Sequence, residues 1–499
     1  MSDVVAGLKP ELLWRHFAAI SRIPRGSKNE TAVARYVLDV AQRLGLEART
    51  DDAGNVLVRK PASAGREKCR SIALQGHLDM VCEKNSDTKH DFLTDPIELV
   101  RRGNILTANG TTLGADNGIA VATNLAVMED QSLEHGLLEL LFTVEEETSL
   151  KGASSLANDM LQSRTLLNLD SEDEGVLFVG CAGGQDTIGS WQGSWRPQFV
   201  EAPADFIAIR VRVSGLRGGH SGMDIDKGRG NAIKIMSRAL RELAAVDARL
   251  AVIEGGDKHN AIPRECAALL WLASEKTGAA ERLIEDLHSV VRAELAVADP
   301  DLAITLAPVT ESSSGELRKI PRKILKEEDQ KKLLHILTAL PHGVIRMSDD
   351  IAGLVETSTN LAVIKIREES LTAVTFQRSS VDSALREVAA SIAAIFELGG
   401  AAVENSEAYP GWKPNLDSEI LKIARVAWRD LAGEEPKVTA VHAGLECGVI
   451  GDKIPGMDMI SFGPTMTGVH SPDEKLHIDT VERFWNLLQE ILRRVDNQN

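Results

Sequence analysis

The stretch Gln75–Met80, which reads Gln-Gly-His-Leu-Asp-Met, decides how the rest of this chain is interpreted. The apolar run 71–74 precedes it and is suited to a buried strand. Side chains alternate across a strand, so His77 and Asp79 point to the same side. One imidazole and one carboxylate there can begin a metal site, with Asp79 as a ligand or as the group that holds His77. A surface histidine beside a turn is the alternative.

Three further segments carry acidic side chains at comparable places. The apolar run 137–144 ends in the acidic run 145–147, and a later apolar run ends at Asp170. A loop rich in Gly and Thr carries Asp116 just before a predicted helix. Each feature alone has an ordinary explanation, as a solvated loop or a helix N-cap. Because sites in open α/β sheets form at the carboxyl ends of strands, four such segments together indicate a shared site.

Composition limits the classes of function. The 499 residues are too many for one core and predict two to four domains. Apolar residues make up 43% and charged residues 26%, which is ordinary for a globular protein. A net charge of −17 disfavours nucleic acid or an anionic membrane as the main partner.

Cysteine usage and the absence of a targeting pattern favour a cytoplasmic protein. The 5 cysteines are scattered and form no Cys-x-x-Cys pair, so a disulfide framework or a cysteine zinc site is not expected. No run reaches the ~18 apolar residues of a membrane span. The ligands of any metal must therefore be His, Asp and Glu.

The order of helices and strands predicts an α/β fold in three segments. The amino-acid composition changes near residues 185–205, which suggests a domain boundary. A β-α-β-β-α pattern follows it. We predict a first domain in residues 1–200, an inserted α/β domain in residues 201–403, and a return to the first domain in residues 404–499. The inserted domain contains two blocks of similar length, but their residue identity is too low to establish a repeat.

With the late His470, these features resemble the M20 family of two-metal peptidases. The resemblance runs from about residue 15 to about residue 490 and is closest to the Xaa-His dipeptidases of that family. It rests on motifs that are weak singly and specific together: Gln-Gly-His-Leu-Asp-Met-Val at 75–81, Gly-Ala-Asp-Asn-Gly at 114–118, Leu-Asp-Ser-Glu at 169–172, Gly-Gly-His-Ser-Gly at 218–222, Asn-Ala-Ile-Pro-Arg-Glu at 260–265 and His-Ala-Gly-Leu-Glu-Cys-Gly at 442–448.

The resemblance implies a di-zinc exopeptidase-like catalytic domain with an inserted α/β lid domain. It implies two Zn²⁺ per chain, with Co²⁺ or Mn²⁺ as substitutes. His77 and Asp170 would bind one ion, His470 and Glu147 the other, and Asp116 both. The family also tends to have a cis peptide after its bridging aspartate, which predicts one between residues 116 and 117.

The same resemblance assigns the catalytic roles. Asp79 would orient His77. Glu146 would act as general base, taking a proton from a metal-bridging water and handing it to the leaving amine. The family pattern is Asp-Glu-Glu, whereas this chain has three glutamates at 145–147. A shift of one residue, with Glu145 as base and Glu146 as ligand, stays open, although the spacing from His77 favours Glu146 as base.

Substrate contacts are implied in the inserted domain. His220 would polarise the scissile carbonyl oxygen, and Arg378 would pair with the C-terminal carboxylate of a dipeptide. Asn260 would bond the same end, and Gly444 would contact substrate through its backbone. Surface loop residues are the alternative interpretation of His220 and Arg378. The resemblance further suggests a homodimer through the lid domain, although the second block could instead mimic a partner.

We therefore predict a cytoplasmic di-zinc dipeptidase, a hydrolase acting on Xaa-His dipeptides such as β-Ala-His. Its partners would be small peptides, without nucleic acid or membrane. One alternative is another M20 chemistry, on N-acylated amino acids or tripeptides. The other is a peptide-binding protein with a dead site, which the complete set of ligand residues argues against.

Overall fold

The structure is a computed structural model that describes residues 3–191, 197–309, 321–367 and 370–496. The chain divides into two compact units. The first unit comprises Met1–Cys181, Trp412–Ala440 and Leu445–Asn499, and the second comprises Ala182–Gly411 and Val441–Gly444. Among the described residues, none of the helices combines the length and apolar character needed to cross a membrane.

Helices and strands alternate along most of the chain. The helices of the described residues are α1 (Glu11–Ile20), α2 (Thr31–Arg43), α3 (Ala115–Glu129), α4 (Glu146–Ser149), α5 (Lys151–Ser155), α6 (Ala232–Ala244), α7 (Thr277–Glu294), α8 (Glu327–Ala339), α9 (Asp382–Leu398), α10 (Glu419–Ala432), α11 (Glu446–Lys453) and α12 (Ile478–Arg494). Their apolar residues recur at helical spacing, as in α12, where Val481, Phe484, Leu488 and Ile491 are buried.

The longest strands lie in the second unit. The strands of the described residues are β1 (Glu47–Thr50), β2 (Val56–Lys60), β3 (Ile72–His77), β4 (Leu99–Arg102), β5 (Ile105–Ala108), β6 (Leu138–Thr143), β7 (Thr165–Asn168), β8 (Val176–Cys181), β9 (Gly183–Trp191), β10 (Phe199–Glu201), β11 (Phe206–Ser214), β12 (Gly219–His220), β13 (Arg249–Gly255), β14 (Ala261–Ile262), β15 (Cys266–Ala273), β16 (Ala303–Pro308), β17 (Lys323–Leu325), β18 (Gly343–Met347), β19 (Val355–Arg367), β20 (Ser370–Ser379), β21 (Ala402–Asn405), β22 (Lys437–Val441), β23 (Asp458–Ser461), β24 (Met466–Thr467) and β25 (Lys475–His477).

The first unit is built on an eight-stranded sheet in the order β1-β2-β6-β3-β7-β23-β8-β22. Its central strands β6, β3 and β7 run parallel, with His77 opposite Thr143 and Gln75 opposite Asn168. Every residue of β3, β6 and β7 is buried, as expected for parallel strands that are covered on both faces. The carboxyl ends of these three strands therefore meet at one edge of the sheet.

The second unit contains a nine-stranded sheet that is internally duplicated. Its path runs β16-β11-β15-β13-β19-β20-β9-β21, with β18 paired to β19. The succession β11-α6-β13-β15-α7-β16 recurs as β9-α8-β19-β20-α9-β21, with the same antiparallel neighbours in both halves. The two halves join where β13 pairs with β19. The repeat that residue identity could not establish is thus visible in the topology.

The compact units differ from the predicted segments at their boundaries. Strand β9 pairs with β20 and β21, so residues 183–191 belong to the second unit rather than to the predicted first domain, residues 1–200. The second unit likewise extends past residue 403 to Gly411, because Tyr409 and Gly184 exchange backbone hydrogen bonds of 3.1 Å. Gly444 also lies in the second unit, not in the first.

Candidate metal centre

Two groups of side chains share Asp116 in the first unit. His77 Nε2 lies 3.1 Å from Asp116 Oδ1 and 3.4 Å from Asp170 Oδ1. His470 Nε2 lies 3.0 Å from Asp116 Oδ2 and 3.0 Å from Glu147 Oε2. Within each group the potential ligand atoms lie within 4.8 Å of one another. The structure thus brings together all five residues that the sequence suggested as ligands, with one oxygen of Asp116 toward each histidine.

The parallel sheet explains this convergence. His77 is the last residue of β3, and Asp170 follows the end of β7 by two residues. Glu147 lies in α4, which begins shortly after β6 ends at Thr143. Because β6, β3 and β7 are adjacent and parallel, the three side chains emerge at the same edge of the sheet.

The loop that carries Asp116 has an irregular backbone. Helix α3 begins at Ala115, earlier than the sequence suggested, but Asp116 and Asn117 depart from helical φ/ψ values. The predicted cis peptide between these two residues is confirmed. Asn117 Oδ1 accepts a hydrogen bond from the His77 N–H (3.2 Å), so the loop is tied to β3. A Cβ atom at Gly76 would lie 2.5 Å from Asn117 Oδ1, which explains the glycine in the opening motif.

Asp79 is buried and connects His77 to the acidic run. Its Oδ1 lies 3.3 Å from His77 Nδ1 and accepts a hydrogen bond from the Glu146 N–H (3.0 Å). Its Oδ2 accepts hydrogen bonds from Ser27 Oγ (2.8 Å) and from the Glu147 N–H (3.2 Å). Burial opposes ionisation, but His77 and these donors outweigh it and lower the pKa of Asp79 to about 2. Asp79 therefore holds both the imidazole and the backbone of α4.

The three adjacent glutamates point to different partners. Glu145 Oε1 accepts a hydrogen bond from Lys151 Nζ at 2.7 Å. Glu147 reaches the His470 group, and Glu146 presents a carboxylate oxygen close to ligand atoms of His77 and Glu147. Glu145 itself adopts a left-handed backbone (φ 50°), which turns the chain just before α4. Of the three glutamates, Glu146 and Glu147 lie beside potential ligand atoms, whereas Glu145 is paired with Lys151.

The centre carries more negative charge than its two imidazoles can balance. Burial raises the pKa of Glu146 well above its ordinary value, and the carboxylates of Asp170 and Glu147 raise it further, against the influence of His77. Burial also raises the pKa of Asp170 to about 6. Carboxylates packed this closely ionise together only if cations lie among them.

The residues present fit divalent metal ions. Each group combines one imidazole with two carboxylates, an N/O set that suits zinc. Within the described residues, the buried Glu147 Oε1 has no hydrogen-bond partner, although its charge disfavours such burial. A bound cation would satisfy this atom and offset the charge of the group.

Sequence reasoning missed Glu446, which lies beneath the centre. Glu446 is fully buried, and its Oε2 accepts hydrogen bonds from Gln75 Nε2 (2.5 Å) and Thr143 Oγ1 (2.6 Å). Gln75 Oε1 in turn accepts a hydrogen bond from Asn168 Nδ2 (2.5 Å). Burial raises the pKa of Glu446 to about 7. Its position in the motif at 442–448 could have indicated that Glu446 belongs to the site. Its hydrogen-bond partners could not be found in this way because they are remote in sequence.

The predicted substrate residues lie in the second unit. His220 Nδ1 accepts hydrogen bonds from the N–H groups of Gly222 (3.2 Å) and Met223 (3.1 Å), so a neutral ring carries its proton on Nε2. Arg378 Nη2 lies 3.2 Å from that Nε2. Two N–H-bearing nitrogens at this distance can share an oxygen acceptor. Asn260 is exposed in a turn.

A second cluster around Arg378 was not foreseen. The buried guanidinium donates to the Tyr409 hydroxyl (3.0 Å) and lies 4.5 Å from the centre of the Phe376 ring. A Cβ atom at Gly184 would lie 2.5 Å from the Tyr409 hydroxyl, and one at Gly444 would lie 3.1 Å from its ring. Both glycines therefore make room for Tyr409, and Gly444 has a packing reason as well as its predicted role.

Stability of the metal-free protein should fall as pH rises. Hydrogen bonds to Asp116 and Glu147 raise the pKa of His470 to about 11, and burial raises that of Asp170 to about 6. A group whose pKa is higher in the folded than in the unfolded protein stabilises the fold at pH values below its unfolded-state pKa. This stability is lost as the pH rises through the folded-state pKa. Asp170 therefore lowers the metal-free melting temperature between about pH 4 and about pH 6, and His470 lowers it between about pH 6.5 and about pH 11.

Thermal melts at about pH 6 and about pH 9, with and without added Zn²⁺, check this expectation. Metal displaces protons from its ligands. The melting temperature of the zinc-loaded protein should therefore decrease much less between the two pH values. His470→Gln should flatten the metal-free profile above about pH 6.5. A metal-free melting temperature that rises between the two pH values would contradict the assignment.

Comparisons with known proteins give consistent matches. The profile of Peptidase family M20/M25/M40 matches residues 73–494. The cytosol non-specific dipeptidase of Escherichia coli (strain K12) is 40% identical over 489 residues, which is 98% of each chain. The structure of aminoacylhistidine dipeptidase from Vibrio alginolyticus superposes with a TM-score of 0.88 at 40% identity, covering 100% of this chain and 99% of that one.

A more distant structure shares the fold. Aminopeptidase PepT from Bacillus cereus aligns with a TM-score of 0.55 at 15% identity, over 98% of this chain and 99% of that chain. At this identity the likeness concerns the fold alone. The match nevertheless extends through both compact units, so the α/β unit with a second inserted unit is the common architecture.

Proposed function

The chain belongs to Peptidase family M20/M25/M40, and from that premise we propose that it is a metallo-dipeptidase. The observation that carries this proposal is the position of Asp116, which offers one carboxylate oxygen to His77 and the other to His470. A carboxylate shared in this way suits two ions. We infer two Zn²⁺ per chain, with Co²⁺ or Mn²⁺ as substitutes, held by His77, Asp170, Asp116, Glu147 and His470.

When bound, the two ions supply Lewis acidity, which polarises the scissile carbonyl and makes the attacking water more acidic. Glu146 accepts the proton of that water on its carboxylate and later donates it to the leaving amine. In the metal-free protein, burial and the neighbouring carboxylates raise the pKa of Glu146 above its ordinary value. Asp79 positions His77 through the 3.3 Å contact of its Oδ1 with Nδ1, and it positions the Glu146 backbone through a hydrogen bond from the Glu146 N–H.

We propose that the second unit supplies contacts to the substrate's oxygens. In this proposal His220 donates from Nε2 to a carbonyl oxygen of the substrate, and the Arg378 guanidinium binds a carboxylate. The Tyr409 hydroxyl accepts a hydrogen bond from the same guanidinium. Asn260 and the Gly444 backbone remain proposed contacts, as does a homodimer through this unit. Strand β18, on which Val344, Ile345 and Met347 are 37–48% exposed, offers an apolar surface for such a dimer.

The substrate proposal is dipeptides, including Xaa-His types such as β-Ala-His, in the cytoplasm. The similar Escherichia coli protein is named for non-specific dipeptide cleavage and a cytosolic location, and the Vibrio alginolyticus protein for aminoacyl-histidine substrates. A panel of dipeptides, tripeptides and N-acylated amino acids, assayed on zinc-loaded protein, tests the proposal. Dipeptides should be cleaved fastest; faster cleavage of tripeptides or N-acylated amino acids would contradict it.

Removing the guanidinium should reduce affinity for the substrate carboxylate. Arg378→Met is expected to lower kcat/KM for dipeptides by about a hundred-fold, since a charge-assisted bidentate contact is lost. The same variant should cleave a C-terminally amidated dipeptide nearly as well as the free acid, whereas the original protein should prefer the free acid. If Arg378→Met retains that preference, another residue binds the carboxylate.

A further inference from the structure

Two buried charged residues outside the ligand set bracket the loop that carries Asp116. Arg25 is 3% exposed and Glu474 is 2% exposed. Residues of these types are almost never fully buried unless they are paired or fully hydrogen-bonded. Neither charged group contacts a carboxylate of the candidate metal centre. Another feature must therefore explain why both residues are buried.

Arg25 joins the end of β3 to the start of the Asp116 loop. Its Nη1 donates to the carbonyl oxygens of Leu78 (2.9 Å) and Asp79 (2.8 Å), and its Nη2 donates to the carbonyl oxygen of Gly114. A Cβ atom at Gly114 would lie 2.7 Å from Nη2, and one at Gly118 would lie 2.5 Å from it. The two glycines of the Gly-Ala-Asp-Asn-Gly motif therefore make room for this guanidinium.

Glu474 binds the same loop as a hydrogen-bond acceptor, whereas Arg25 binds it as a donor. Its Oε2 accepts from the N–H groups of Leu113 (2.7 Å) and Gly114 (3.0 Å), and its Oε1 accepts from those of Ala115 (2.8 Å) and Asp116 (3.3 Å). Helix α3 has no side-chain N-cap from Gly114, so this remote carboxylate satisfies the donors at its start.

Glu474 also belongs to the loop that presents His470. The Glu474 N–H donates to the carbonyl oxygen of Ser471 (3.1 Å), and the Ser471 hydroxyl donates to that of Gly468 (2.7 Å). His470 sits within this compact turn with a left-handed backbone (φ 61°). One carboxylate therefore fixes the distance between the segments that carry His470 and Asp116.

We propose that Arg25 and Glu474 are positioning residues that fix Asp116 between His77 and His470, and so permit binding of the ion on the His470 side. The inference rests on the proposed two-metal function. Arg25 holds the Gly114 carbonyl relative to the end of β3, and Glu474 holds four N–H groups relative to the His470 loop. Together they set where both oxygens of Asp116 lie.

Glu474→Gln is the sharpest perturbation because it preserves shape. The amide keeps one acceptor oxygen and replaces the other with an NH₂ group, which would face two backbone N–H groups. Asp116 should then shift relative to His470. Loss of a group that orients a ligand typically weakens metal binding by about 10- to 100-fold.

The chain contains a matched control in Glu139. Glu139 is also fully buried, its Oε2 accepts hydrogen bonds from two backbone N–H groups, at Gln162 and Ser163 (both 2.8 Å), and its Oε1 accepts from Arg59 Nε (3.1 Å). Glu139→Gln therefore repeats the chemical change away from the ligand loops. It should lower the melting temperature of the metal-free protein without altering metal binding.

The test is a Co²⁺ titration of the metal-free protein, followed by visible absorption, for the original protein and the variants Glu474→Gln, Glu139→Gln and His470→Ala. We expect Glu474→Gln to weaken, by at least about 10-fold, the same binding step that His470→Ala removes, and to leave the other step within about 3-fold. Glu139→Gln should leave both steps unchanged. The proposal would be overturned if Glu474→Gln bound Co²⁺ in two steps with the affinities of the original protein. It would also be overturned if Glu139→Gln weakened Co²⁺ binding as much as Glu474→Gln does.

Arg25→Lys provides a second variant if Glu474→Gln does not fold. The ammonium keeps the charge but cannot reproduce the fork that reaches three carbonyl oxygens. It should weaken the same Co²⁺ step, and unchanged binding would refute the role of Arg25. If the original protein itself binds no Co²⁺, the proposed function fails instead, which separates the two results.

Discussion

Glu146→Gln is expected to lower kcat for dipeptide hydrolysis by about a thousand-fold while the protein keeps about two ions per chain. The Glu146 carboxylate is partly buried beside His77, where it can take up and release a proton. It is not one of the proposed ligands, which include Asp116 and the two histidines that Asp116 approaches. The glutamine preserves size and removes the proton-accepting oxygen. The measurements are steady-state kinetics and metal analysis on the same preparation.

Glu145→Gln is the matched control for that result. Glu145 precedes Glu146 in sequence, but its carboxylate is paired with Lys151. Its replacement should change kcat by no more than a few fold. The opposite pattern, with Glu145→Gln inactive and Glu146→Gln active or depleted of one ion, would establish the shifted register in which Glu145 is the base.

Asp116→Ala is expected to lose both ions and essentially all turnover. The two oxygens of Asp116 lie 3.1 Å from His77 Nε2 and 3.0 Å from His470 Nε2. Its removal takes a ligand from each group and leaves the remaining carboxylates to repel one another. Metal analysis after dialysis, with activity measured before and after zinc is added back, checks the result.

His470→Ala provides the comparison for Asp116→Ala. This variant removes a ligand from one group only, so the protein should retain about one ion per chain. If Asp116→Ala also retains one ion, Asp116 serves a single group and the shared-carboxylate account is wrong. If His470→Ala releases both ions, the two groups do not bind independently of each other.

The strand ends were the most predictable part of the site. Asp170 and His77 follow apolar runs, and parallel pairing of the buried strands brings such ends together without further information. The cis peptide after Asp116 was predicted from the family resemblance and is present. The binding of metal by these residues remains a prediction, but their convergence follows from the sheet.

Long-range partners could not be predicted from the sequence. Glu474 reaches Asp116 across more than 350 positions, and Glu446 reaches Gln75 across 371. Periodicity and local motifs carry no information about such pairs, because they depend on how the loops pack. The glycines at 114 and 118 were visible as a motif, but their reason, the guanidinium of Arg25, became visible only in three dimensions.

The boundaries of the second compact unit differ from the predicted segments for a related reason. Strand β9 lies before the change of composition near residue 200, yet its hydrogen-bond partners β20 and β21 follow far later in the chain. The duplicated βαββαβ order was hidden because the first half is inserted between β9 and α8 of the second. Pairing, rather than composition, sets both boundaries.

The most direct test of a two-metal hydrolase is a Zn²⁺ titration of the metal-free protein, with bound metal and hydrolysis of a dipeptide measured at each point. We predict that metal-free protein is inactive and that activity rises until about two ions are bound per chain, then stays constant. Full activity in the metal-free protein, or a plateau reached with one bound ion, would contradict the account.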